Sequence, residues 1–145
     1  MLRLFFYLYI MLNKIEHIGI AVSNLDEAIT TYELLLDTPC YKRESVASEG
    51  VSTAFFKVGE SKIELLEATN PDSPIAKYIA KRGIGVHHVA FDVTDIHAEI
   101  QRLVANEFVL INELPKEGAD NKLIAFLHPK STLGMLVELC QERKA

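Results

Sequence analysis

The chain has 145 residues, of which 49% are hydrophobic and 24% charged, with a formal net charge of −5 and two cysteines. That length and composition suffice for a domain with its own core, and the negative balance argues against a nucleic-acid-binding surface. Two cysteines, Cys40 and Cys140, are too few for a disulfide scaffold and fit a reducing cytosol.

Residues 2–12 form an apolar run with one charge, Arg3. The run is too short to span a membrane, and no small-residue cleavage site comes after it, as a signal peptide requires. Residues 1–13 are therefore expected to be an extension ahead of the domain, and no membrane partner is expected. Residues 15–22, IEHIGIAV, read as a core strand. Ser23 or Asn24 then caps an amphipathic helix with Asp26 and Glu27 in its first turn. Its apolar stripe is Leu25, Ala28, Ile29, Tyr32, Leu35 and Leu36. An extended stretch over residues 41–47 leads to a hairpin of residues 52–58 and 62–67, joined by a turn at 59–61. Residues 70–74 break the pattern, and Pro74 suits the first turn of a short helix over residues 75–82 that exits at Gly83.

The chain then repeats itself. Residues 86–93, VHHVAFDV, match residues 15–22. Thr94 or Asp95 caps a second helix with the stripe Ile96, Ile100, Leu103 and Val104, and Asn106 is expected to take its left-handed exit. An extended stretch at 108–114 precedes strands at 123–127 and 135–141, separated by a longer turn through residues 128–134. Each unit is therefore β-α-β-β-β. Module one covers residues 14–69, a linker with the short helix 70–85, module two 86–141, and a tail 142–145. The expected class is α+β, two tandem modules pairing into a curved, cupped mixed sheet around a metal-binding cavity.

Superposing the repeats puts His17 on His88, 71 residues on, and Glu64 on Glu138, 74 residues on; the longer second turn accounts for the difference. Two imidazoles and two carboxylates brought together suit a divalent ion such as Zn, Co, Ni, Mn or Fe(II), with open positions left for substrate. Alternation along the strands puts Gly19 on the face of His17 and Ala90 on the face of His88, small residues that leave room over a metal. A lone histidine on a strand is ordinarily a hydrogen-bonded structural residue. A glutamate in the run Ile63-Glu64-Leu65-Leu66 is less ordinary, because it buries a carboxylate at a cost unless paired or metal-bound. His87 belongs to the opposite face from His88, and His97 and His128 fall on the outer helix and in a turn. A Gly-x-Ser-x-Gly elbow, a phosphate loop and a dinucleotide fingerprint are all missing from the sequence.

Three segments, residues 15–22, KIELLEA at 62–68 and VHHVAF at 86–91, resemble the vicinal oxygen chelate superfamily. IAFLHPKS at 124–131, running to LVEL at 136–139, resembles more narrowly its methylmalonyl-CoA epimerase family. The resemblance covers residues 14–141. It implies metal ligands at His17, Glu64, His88 and Glu138, a divalent ion with cobalt foremost, a coenzyme A thioester substrate and a homodimer. Some relatives carry Gln where this chain has Glu64, which bears on metal preference. The implied reaction removes the substrate's α-proton and returns a proton to the opposite face, so it needs a group on each side of that carbon.

Glu138 is the candidate for one of these groups. A three-residue hairpin turn would set Phe56 opposite Glu64 and place Ala54 and Ser52 on the cavity face, where no carboxylate falls. Glu49, in the preceding bend, is then the nearest candidate for the second group, and a solvated loop glutamate is its ordinary reading. Lys130, Ser131 and Lys122 are the candidates for the coenzyme A phosphates, against simply solvated turn lysines. Two other functions fit the scaffold. One is a glyoxalase I-type metal-dependent lyase with the same ligand set. The other is a metal-free small-molecule binding module, which would have no reason to bury two carboxylates.

Overall fold

The computed structural model describes residues 12–144; of the extension expected over residues 1–13, the first eleven residues lie outside them, and Leu12 and Asn13 belong to the first strand. The described residues divide into two compact units, residues 17–88 and residues 12–16 with 89–144. Both divisions fall inside strands, β1 (Leu12–Ala21) and β5 (Gly85–Val93), rather than in the linker.

In the 17–88 unit, β1 lies parallel to β4 (Ser61–Ala68), with Gly19 opposite Glu64. β4 pairs antiparallel with β3 (Val51–Val58), and β3 with β2 (Lys42–Val46), in the order β2-β3-β4-β1. Helix α1 (Leu25–Leu36) starts at Asn24, whose extended backbone lets its side-chain oxygen accept from the Glu27 N–H at 3.0 Å. Its Leu25, Ala28, Ile29, Tyr32 and Leu36 pack on Ala54, Phe56 and Leu65. Leu35, expected on that stripe, is 69% exposed. At 3.6 residues per turn it sits about 80° from the stripe's centre. Helix α2 (Pro74–Arg82) is capped by Ser73, whose hydroxyl accepts from the N–H groups of Ile75 and Ala76. Ile75 anchors this helix against Ala21, Val51 and Leu66.

The hairpin between β3 and β4 corrects the expected register. Its turn has two residues, Gly59 and Glu60, not three, and Gly59 takes the positive φ of 61° that so tight a turn needs. Phe55, not Phe56, therefore stands opposite Glu64. A one-residue slip exchanges the two faces of a strand. Thr53 and Phe55 thus share the face of Glu64, while Ala54 and Phe56 turn to the helix.

In the other unit, β5 lies parallel to β8 (Val137–Glu142), with Ala90 opposite Glu138, as Gly19 is opposite Glu64. β8 pairs antiparallel with β7 (Lys122–Leu127), and β7 with a two-residue β6 (Lys116–Glu117). Helix α3 (Ile96–Ala105) is capped by Asp95 and packs Ile96, Ile100 and Leu103 on Val93, Ala125, Leu127 and Leu139. Val104, expected on its stripe, is exposed, again about 80° off centre. The helix exit is made by Glu107 (φ 69°), not by Asn106. The Asn106 amide is instead held on the Arg102 carbonyl at 2.7 Å. The extended stretch expected at 108–114 makes one bridge, Leu110 to Leu127, and bends from 111. Pro115, which has no N–H to give a ladder, separates it from β6. The class is α+β, with three helices and eight strands among the described residues.

Candidate metal centre

Three residues of the 17–88 unit meet side chain to side chain. His17 comes from β1, His88 from the start of β5 and Glu64 from the middle of β4. All three are buried, at 7%, 3% and 4% exposure. The Nε2 atoms of His17 and His88 lie 3.0 Å apart, and each is 3.7 Å from Glu64 Oε1. The two rings stand edge to face, with centroids 5.1 Å apart.

Gly19 makes this convergence possible. A Cβ added there would lie 2.1 Å from His88 Cε1 and 2.4 Å from its Nδ1. The space that alternation reserves beside His17 is thus filled by the His88 ring itself, rather than left open over a metal.

Two imidazole nitrogens and a carboxylate oxygen converging in a buried place form a donor set that fits a divalent ion. Such ligands bind as neutral imidazoles, and burial favours that form. Burial lowers the His87 pKa from its ordinary 6.5 to about 4. Burial also holds His88 well below 6.5, with the charges of His17 and His87 adding to it. For an imidazole whose folded pKa is lowered, the unfolded chain takes up the proton first. Stability is then complete above about pH 6.5 and is lost as the pH falls through the window toward about 4. The metal-free chain is expected to lose about 1.4 kcal/mol per pH unit for each such imidazole in that window. Urea unfolding at a series of pH values reads this directly, and equal stability at about pH 7 and 5 would contradict it.

Sequence reasoning missed the surroundings of the pair. Alternation assigns His87 to the opposite face, yet its Nδ1 lies 3.0 Å from His88 Nδ1, and its ring stands edge-on to Tyr78 at 4.7 Å. Lys42 and Glu44 on β2 lie opposite Phe55 and Thr53, and therefore on the face of Glu64. They pair with each other at 3.3 Å. The short Gly59-Glu60 turn is the sequence signal that would have fixed this register.

The other candidates occupy different elements. Glu138 is buried on β8, in the other compact unit. Glu49 is half-buried in a single 3₁₀ turn, Ala47–Glu49, just after β2. Lys130 is exposed in the turn Pro129–Ser131. The Ser131 hydroxyl serves that turn, accepting from the Val109 N–H and donating to the His128 carbonyl. Lys122 does not lie at a rim. It is 7% exposed, with its ammonium 3.9 Å from Glu16 and 3.7 Å from Glu142. Both carboxylates lie within ion-pair distance of it.

Residues 16–126 match the family described as the glyoxalase/bleomycin resistance protein/dioxygenase superfamily. An uncharacterized Bacillus subtilis protein, YqjC, is 39% identical over 132 residues, covering 91% of this chain and 94% of its own. The mitochondrial methylmalonyl-CoA epimerase of Homo sapiens is 36% identical over 131 residues, covering 90% of this chain and 74% of its own. A variant Streptomyces coelicolor methylmalonyl-CoA epimerase, solved in complex with 2-nitronate-propionyl-CoA, is 33% identical with a TM-score of 0.89, covering 93% of this chain and 98% of that one.

Proposed function

The chain belongs to the glyoxalase/bleomycin resistance protein/dioxygenase superfamily, and from that premise we propose that it interconverts the two epimers of methylmalonyl-CoA with the help of a divalent metal ion. The observation that carries this reading is the buried meeting of His17, Glu64 and His88, at 3.0 Å between nitrogens and 3.7 Å to the carboxylate. The likeness to methylmalonyl-CoA epimerases, at 33–36% identity over at least nine-tenths of this chain, supports the substrate. A homodimer in a reducing cytosol belongs to the same proposal, and light scattering at the mass of one chain would remove the dimer.

His17 and His88 would hold the ion through Nε2, and Glu64 and Glu138 through carboxylate oxygens. Cobalt is the first choice, and zinc, nickel, manganese or iron also suit this donor set. The ion supplies, when bound, Lewis-acid stabilisation of negative charge developing on the substrate's carbonyl and carboxylate oxygens. The Glu138 carboxylate takes the α-proton. The C–H bond breaks, its electron pair stays on the substrate as an enolate, and the carboxylate becomes a carboxylic acid. Glu49, starting as the acid, returns a proton to the opposite face and is left as a carboxylate. Exchange with solvent then resets both groups. Lys130, the exposed cation of the Pro129–Ser131 turn, is the proposed partner for a phosphate of the coenzyme A arm.

The test tracks the α-carbon itself. The Co(II)-loaded chain is mixed with one epimer of methylmalonyl-CoA in deuterated water and observed by NMR. Deuterium is expected to enter the α-position with loss of chirality, and a chelator is expected to abolish the exchange. No exchange with metal bound would move the assignment to a glyoxalase-type substrate. No exchange and no metal would make the chain a binding module.

A further inference from the structure

We propose that His87 is a positioning residue that fixes the tautomer and ring angle of His88, with helix α2 as its buttress. The inference rests on His88 being a metal ligand through Nε2.

Adjacent residues on a strand point to opposite faces, so His87 has no route into the site itself. Its Nδ1, the ring nitrogen nearer the backbone, nevertheless lies 3.0 Å from the Nδ1 of His88. Two ring nitrogens at that distance need one N–H and one lone pair between them. The Nε2 of His88 faces His17 Nε2 and Glu64 Oε1, and a lone pair presented there requires the His88 proton to sit on Nδ1. That N–H then donates to His87 Nδ1, which accepts, and the proton of His87 sits on its own Nε2.

The His87 ring is itself held. Tyr78, on α2, meets it edge-on at 4.7 Å and an interplanar angle of 85°. The Tyr78 hydroxyl donates to the Val86 carbonyl at 2.6 Å, and the Arg82 guanidinium lies over the Tyr78 ring at 6.0 Å. The linker helix between the two repeats thus reaches the ligand through one intervening imidazole. The first repeat does not copy the device. The residue equivalent to His87 is Glu16, which is buried beside Lys122. Outer partners of this kind set ligand orientation and carry about 10–100-fold in metal affinity.

The test is long-range ¹H–¹⁵N correlation NMR of the histidine rings in the full chain, metal-free and with Zn(II), together with Zn(II) affinity by calorimetry. The expected result is His88 protonated on Nδ1 and His87 on Nε2 in both states. His87→Phe keeps a ring against Tyr78 but offers no acceptor. It is expected to mix the His88 tautomers and weaken Zn(II) binding about 10–100-fold. His87→Asn, whose amide oxygen takes the place of Nδ1, is expected to restore most of both. His88 protonated on Nε2 in the metal-free wild-type chain would overturn the proposal, as would an unchanged tautomer and affinity in His87→Phe. Failure of the wild-type chain to bind Zn(II) would instead strike the ligand reading, and the metal-free tautomer pair still decides the role of His87.

Discussion

Gly19→Ala is expected to weaken metal binding and to cost about 100-fold in α-proton exchange, while the chain still folds. The added methyl carbon would arrive 2.1 Å from His88 Cε1, well inside van der Waals contact. The backbone has no freedom to retreat, because Gly19 is paired to Glu64 between the Ile18–Ile63 and Ile20–Leu65 pairs of a parallel ladder. The ring must therefore move, and it is hemmed by His17 and His87 at 3.0 Å and by Glu64 at 3.7 Å. Overpacking of this kind costs about 1–3 kcal/mol of stability. A displacement near 1 Å at a reacting centre costs about 100-fold in rate. Calorimetric titration with Zn(II) and a urea melt separate the two effects. Wild-type affinity in Gly19→Ala would mean that the observed ring position is not the one that binds metal.

The second large effect is at Glu138, where two roles can be pulled apart. On the proposed assignment, Glu138→Ala removes a ligand and a base together. It is expected to lose more than the 10–100-fold in metal affinity typical of an outer partner, and about 10²–10⁴-fold further in exchange rate for the missing base. Glu138→Gln keeps an oxygen for the metal but cannot accept the α-proton. Its affinity should stay within about tenfold of wild type while exchange falls about 10²–10⁴-fold. Metal affinity by calorimetry and deuterium uptake by NMR read the two separately. If Glu138→Ala binds metal as tightly as wild type, the fourth-ligand assignment fails. If Glu138→Gln exchanges at the wild-type rate, the base lies elsewhere.

Much of this site was legible because it is written twice. The meeting of His17 with His88 needs only a repeat and an alternation to be expected. The caps Asn24 and Asp95, each one of two neighbouring candidates, were legible for a local reason, since each satisfies an amide three residues on, whereas Ser73, the cap of the linker helix, was not singled out. Features set by one residue or by distant partners were not legible. The Gly59-Glu60 turn is one residue shorter than expected, and that alone exchanges Phe56 for Phe55 opposite Glu64. Leu35 and Val104 show that helical periodicity locates the centre of an apolar stripe better than its edges. Lys122 is identified as an interior cation only by Glu16 and Glu142, which reach it from two other strands. The contact between His87 and His88 depends on ring rotation, which no residue pattern encodes.

The division of the chain inside β1 and β5 bears on how far apart in sequence the contacts of each unit lie. The unit of residues 17–88 is one uninterrupted segment inserted into the other, which is assembled from the stretches of chain on its two sides. On a growing polypeptide the inserted segment has all its strands and both its helices before β8 exists. The flanking unit must wait for contacts such as Asn13 to Asp92, 79 residues apart, and for β7 to find β8. The entropy of closing so long a loop falls when the intervening chain has already brought its own ends together. His17 and His88, with rings in contact at those two ends, mark where that closure happens. A mutation that loosens the inserted segment is therefore expected to slow folding as well as to lower stability, and stopped-flow refolding reads the first apart from the second.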